Sequence, residues 1–122
     1  MYKIKVKSSF SSAHSLRNYK GKCEGLHGHN WEVLATLSNK SLAPSGMIMD
    51  FSEFKKILIS VLDALDHKHL NDLEYFKHQN PSSEEIAKYI FNCLKEKLPK
   101  KGERLEEVSV WETENSCATY HE

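Results

Sequence analysis

Three imidazoles and a thiol stand close together near the N-terminus: His14, then Cys23, His27 and His29 in the run C-E-G-L-H-G-H. Such a density of metal-binding side chains is hard to explain by packing. On a strand, successive side chains alternate between faces, so His27 and His29 share one side. Gly28 between them offers no side chain to obstruct the backbone. If the first strand continues past Phe10, His14 falls on the parity of Ile4 and Val6 and points inward. A single histidine on an apolar face is more often a hydrogen-bonded core residue than a ligand. Three whose parities agree, beside a cysteine, favour a metal. Imidazole nitrogen suits zinc, and three protein ligands leave a fourth position for water or substrate. With Cys23 as the fourth ligand the site would instead be closed and structural. The thiol has a second option, because beside a cation, imidazoles and Lys22 its pKa falls below the free value of about 8.5, giving a thiolate that moves protons.

Other residue pairs carry weaker signals. Asp66-His67 either solvates a helix C-terminus, where a protonated imidazole is favoured, or forms an acid–base pair in which the carboxylate orients a group titrating near pH 6.5. Glu112, in V-S-V-W-E-T, shares the parity of Val108 and Val110. Buried, it would need donors such as a cyclic amidine or guanidine edge; at a sheet edge it would simply meet water. Arg17, Lys20 and Lys22 could neutralise phosphates, though three basic residues in a loop are common. Cys93 and Cys117 read as small residues of a helix and a strand, and His69, His78 and His121 as surface residues.

The elements that must position these groups follow from periodicity. Tyr2, Ile4, Val6 and Phe10 alternate with lysines, the pattern of a strand with one wet face. A polar loop over 15–25 leads to a second strand from about His27 to Leu37. Turn residues Ser38-Asn39-Lys40 and Pro44-Ser45-Gly46 then precede a short strand expected over Met47 to Phe51. Ser52 is the expected N-cap of a helix whose apolar stripe runs Phe54, Ile57, Leu58, Val61, Leu62 and Leu65. After a loop over 72–81, Ser82 with Glu85 forms a capping box opening a second helix, closed by Pro99 and Gly102. Two strands, Leu105 to Thr113 and Cys117 to Tyr120, finish the chain. The order ββααββ indicates an α+β fold: a four-stranded antiparallel sheet with both helices on one face.

The 122 residues imply a single domain over 1–122. Basic and acidic residues cancel at 17 each, so no global field recruits nucleic acid or an anionic membrane. Three cysteines at irregular spacing argue against a disulfide framework and for a reducing compartment. The N-terminal M-Y-K-I-K-V-K lacks a signal peptide's apolar run, and no stretch is long enough to span a bilayer. A cytoplasmic protein is expected.

In chain order, F-S-S-A-H ending at His14, C-E-G-L-H-G-H, M-I-M-D-F, L-D-H-K-H-L-N-D, N-P-S-S-E-E and V-W-E-T resemble the 6-pyruvoyltetrahydropterin synthase superfamily over nearly the whole length. The three residues between Cys23 and His27, and Asp50, most resemble its bacterial queuosine-pathway branch, the 6-carboxy-5,6,7,8-tetrahydropterin synthases. The resemblance implies zinc on His14, His27 and His29, Cys23 as a proton-transferring catalytic residue, a catalytic Asp66-His67 pair, Glu112 anchoring the pterin, and pterin contacts at Ser82 and Ser83, where the family more usually has a threonine-containing segment. It implies the tunnelling fold, with subunit sheets joining into a barrel, as a homohexamer of two trimers. The implied reaction takes 7,8-dihydroneopterin triphosphate to 6-carboxytetrahydropterin, acetaldehyde and triphosphate. Two alternatives are triphosphate elimination without side-chain cleavage, giving 6-pyruvoyltetrahydropterin, and a zinc-stabilised binding module without turnover.

Overall fold

The alternating N-terminal segment forms β1, Tyr2–His14, and pairs antiparallel with β2, His27–Asn39. The computed structural model describes residues 1–21 and 25–122; Cys23, with Lys22 and Glu24, lies outside the described residues. The β1–β2 register sets Val6 against Ala35, Phe10 against Trp31, Ser12 against His29 and His14 against His27. β2 pairs on its other side with β4, Arg104–Thr113, which in turn pairs with β5, Ser116–His121. A two-residue strand β3, Lys68–His69, joins the free edge of β1 in parallel, giving a five-stranded sheet of order β3-β1-β2-β4-β5. The expected antiparallel sheet is therefore present, extended by one short parallel strand.

Helices α1, Phe51–Leu62, and α2, Ser83–Lys97, cover one face of this sheet, α1 against β1 and α2 against β4 and β5. That face carries Val6, Phe10, Trp31, Val33, Ala35, Val108 and Val110, all buried. It meets Phe54, Leu58 and Leu62 from α1 and Ile86, Ile90 and Leu94 from α2. Each of the valines, leucines, isoleucines and phenylalanines among them contributes about 1.5–3 kcal/mol of burial. This anchors the framework whose end carries the histidines.

Two expectations for the region before α1 are corrected. Residues 47–51 form no strand: turn and bend backbone runs to Asp50, tied by the Gly46 N–H donating to Ala43 O (2.8 Å) and the Ala43 N–H to Met47 O (3.0 Å). Both long edges of β2 are already occupied by β1 and β4, so Met49 is buried by packing against the core, without strand partners. The N-cap is Asp50, not Ser52: the Asp50 carboxylate accepts from the Ser52 N–H (2.7 Å) and hydroxyl (2.6 Å). A carboxylate at this position also faces the positive end of the helix dipole. At α2 the cap is as expected, with the Ser82 hydroxyl accepting from the Glu85 N–H at 3.2 Å. The 3₁₀ turn Leu70–Asp72 leads into the connection expected as loop over 72–81, which itself contains a second, Glu74–Lys77; the two bury Leu70 and Phe76.

Candidate metal centre

The helix-facing row of the sheet does not stop where its apolar residues stop. On β2 the row Leu37, Ala35, Val33, Trp31 continues to His29 and His27; on β1 it ends in His14; on β4 it passes Val110 to Glu112. The strand period alone therefore delivers three imidazoles and a carboxylate to one end of the core. Their ligand atoms all lie within 4.8 Å of one another. His14 is 1% exposed, and its ring stands edge-on to that of the fully buried Trp31, 4.9 Å between centroids.

The hydrogen bonds determine which nitrogen each ring offers. His14 Nδ1 lies 2.7 Å from the Pro81 carbonyl and His27 Nδ1 lies 2.8 Å from the Gly25 carbonyl. A carbonyl only accepts, so both Nδ1 atoms carry protons, and each neutral ring presents an Nε2 lone pair. These two Nε2 atoms face each other at 3.1 Å. Glu112 Oε1 approaches at 3.2 Å from His14 Nε2 and 3.0 Å from His29 Nε2. Converging lone pairs and a carboxylate oxygen repel one another unless a proton or a metal ion sits among them. A tetrahedral ion with bonds of about 2.0 Å holds its donors roughly 3.3 Å apart, close to the separations found here. Histidine ligands that donate their other N–H to a backbone carbonyl are the usual supporting arrangement of a metal site. The group thus has the donor set, spacing and ring orientation for a divalent metal such as zinc.

Asp66 and His67 occupy a separate position after α1. His67 Nδ1 pairs with Asp66 Oδ2 at 2.9 Å. The two residues also grip Ser11 of β1: its N–H donates to Asp66 Oδ1 (2.8 Å), and its carbonyl accepts from the His67 N–H (2.6 Å). The Ser11 hydrogen bond, aided by His67, holds the Asp66 carboxyl below its ordinary value of 3.8. His67 has φ 54°, a left-handed conformation that costs a non-glycine residue of order 1–3 kcal/mol and often marks functional positions. Its side chain is 81% exposed.

Ser82 and Ser83 sit at the start of α2, beside the Pro81 carbonyl that holds His14. Arg17 is placed differently from a phosphate-binding residue. Its guanidinium donates to the carbonyls of Phe76 (2.6 Å) and Gln79 (3.3 Å). Lys20 lies in the same loop, exposed, over the Tyr19 ring. His69, expected at the surface and without a partner, is half-buried and pairs with Asp72, three residues along, at 3.3 Å. His78 and His121 are exposed. Burial pushes the Cys93 thiol up, which keeps it protonated at neutral pH, while Cys117 is exposed on β5. Asn71, Asn80, Pro81 and Gly25 escape sequence reasoning, because backbone acceptors and amide clamps leave no periodic pattern.

Residues 3–122 match the family model described as 6-pyruvoyl tetrahydropterin synthase. The chain belongs to that family. Among curated members, the 6-carboxy-5,6,7,8-tetrahydropterin synthase of Haemophilus influenzae is 34% identical, with all of both chains covered. The 6-pyruvoyl tetrahydrobiopterin synthase of Homo sapiens is also 34% identical, over 92% of this chain and 86% of that one. The structure of Caenorhabditis elegans 6-pyruvoyl tetrahydropterin synthase superposes with a TM-score of 0.85 at 29% identity, covering 99% of this chain and 95% of that one. The architecture is accordingly the family's tunnelling fold. Among the described residues, no helix is long and apolar enough to cross a membrane.

Proposed function

We propose that this chain is a zinc-dependent pterin synthase acting on 7,8-dihydroneopterin triphosphate, releasing triphosphate and acetaldehyde, with water consumed, and leaving 6-carboxy-5,6,7,8-tetrahydropterin for queuosine biosynthesis. The observation that carries the metal-dependent reading is the convergence of His14, His27, His29 and Glu112, with the Nδ1 protons of His14 and His27 turned away from the centre onto backbone carbonyls. Membership of a pterin synthase family, and relatives named for the 6-carboxy product, support the substrate class. The three-residue gap between Cys23 and His27 supports this branch.

His14, His27 and His29 would hold the ion, and zinc, when bound, supplies Lewis acidity toward the substrate's side-chain hydroxyls. Cys23 and His67 share the proton transfers, one removing a proton from the side chain and the other returning one. Asp66 keeps the His67 ring oriented through the 2.9 Å contact. Glu112, whose Oε1 lies against His14 and His29, would accept through its other oxygen from the N–H groups of the pterin's cyclic guanidine edge, a charge-assisted pairing that orients the ring. Ser82 and Ser83 line the pterin side. We further propose a cytoplasmic homohexamer of two trimers, in which neighbouring copies complete each site around the exposed His67.

Mass spectrometry of the products formed from 7,8-dihydroneopterin triphosphate tests this reading. A 6-carboxytetrahydropterin with stoichiometric acetaldehyde is expected. A 6-pyruvoyl product without acetaldehyde would move the chain to the activity named for its human relative. No product from zinc-loaded protein would leave a binding module.

A further inference from the structure

β1 loses its neighbours just where the metal ligands begin. β3 pairs only with Ser12 and Ala13, and the β1–β2 register ends at His14. Beyond it, two asparagine side chains replace a strand partner. Asn71 Oδ1 accepts from the Ser15 N–H at 2.9 Å, and its Nδ2 donates to the Ser15 carbonyl at 2.8 Å. Asn80 does the same to Arg17, accepting from its N–H and donating to its carbonyl, both at 2.8 Å. A carboxamide has one acceptor and two donors, so each reads a residue's N–H and C=O as an adjacent strand would. Arg17 then returns its guanidinium to the same segment, on the carbonyls of Phe76 and Gln79.

The Asn80 clamp matters most for the metal site, because the next residue is Pro81. Proline fixes its own φ near −65°, which removes one of the backbone rotations between Asn80 and the Pro81 carbonyl and couples the direction of that carbonyl to where Asn80 is held. That carbonyl is the acceptor for His14 Nδ1, and His14 and Pro81 are both buried. One dipeptide therefore grips the chain three residues after the ligand and also sets the ligand's tautomer and ring direction. We propose that Asn80 is a positioning residue for the metal centre: its amide clamps the strand beyond His14, and through Pro81 it aims His14 Nε2 at the ion. The inference rests on the metal reading above. It also assigns Arg17 to the clamp, leaving substrate phosphates to other groups.

Zinc affinity of the full chain, measured by competition with a chromophoric chelator, tests the proposal, together with the visible absorption bands of the cobalt-substituted protein. Supporting interactions of this kind are worth about 10- to 100-fold in metal affinity. Asn80→Ala is expected to lose affinity within that range and to alter the cobalt bands. Asn80→Asp keeps the acceptor toward the Arg17 N–H but sets an oxygen against the Arg17 carbonyl, and should weaken zinc as well; it serves as the probe if the alanine variant does not fold. Ile90→Val, in the core of α2, provides a destabilised control whose zinc affinity and cobalt bands should match the unsubstituted chain. Wild-type affinity and bands in either folded Asn80 variant would overturn the positioning role while leaving the metal reading intact. Failure of the unsubstituted chain to bind zinc would overturn both.

Discussion

At the scale of single residues, the centre is legible in the sequence to the extent that its geometry is periodic. The H-x-H spacing on a strand puts His27 and His29 on one face, and the same parity carries His14 and Glu112 inward, as the observed separations of 3.0–3.2 Å require. What the sequence does not disclose is the set of partners lacking side-chain chemistry: the carbonyls of Gly25 and Pro81 that orient the rings, and the Ser11 backbone that fixes Asp66. Two predictions belong here. Cys23→Ala should abolish turnover while zinc content by elemental analysis stays full; loss of zinc would instead mark the thiol as a ligand. Asp66 has a lowered pKa, so its stabilising bonds to Ser11 and His67 are complete above the ordinary carboxyl range. They fade as pH falls through the lowered value, where the folded carboxyl takes up its proton. Thermal unfolding of Asp66→Asn should therefore show less loss of stability on acidification than the unsubstituted chain, the two curves converging at low pH.

At the scale of elements, strands and helices with clear periods are found where the spacing puts them, and the errors cluster at one junction. M-I-M-D-F reads as a strand because apolar residues crowd it, yet only Met49 is buried, by packing on the core while the sheet edges are taken, and Met47 and Phe51 are exposed. Asp50 and Ser52 are both good caps, and local sequence does not say which side chain turns back toward the helix. The structure selects Asp50, whose one carboxylate oxygen takes both Ser52 donors. β3 is two residues long and escapes any periodicity argument. At α2 the cap is unambiguous: Ser82→Ala should cost about 1 kcal/mol by denaturant unfolding. A Ser82→Thr variant, which keeps the hydroxyl, should recover most of that loss.

At the scale of the whole molecule, one continuous row of inward side chains runs from the apolar core into the candidate metal centre, so core and site share a framework. Phe54 is fully buried between α1 and the sheet, remote from the histidines in sequence. Phe54→Ala should cost about 3–5 kcal/mol of stability, measured by chemical denaturation. Expressed at low temperature where it stays folded, that variant should still bind zinc. Loss of zinc binding from the folded variant would mean that the row cannot be loosened at one end without disturbing the other.

The position of Trp31 gives the protein a built-in optical probe. Its indole is completely buried, donates to the Ser12 carbonyl at 3.2 Å, and lies edge-on to His14 and His29 at 4.9 and 5.3 Å. The second tryptophan, Trp111, is half-exposed on β4. Buried indole emits at shorter wavelength than hydrated indole, so the two fluorophores should be separable by colour. Cobalt added in place of zinc should quench the blue component in step with site filling, and the quenching should vanish in Trp31→Phe but persist in Trp111→Phe. Filling of the site can then be followed by the light the protein itself emits, without chelators or substrate.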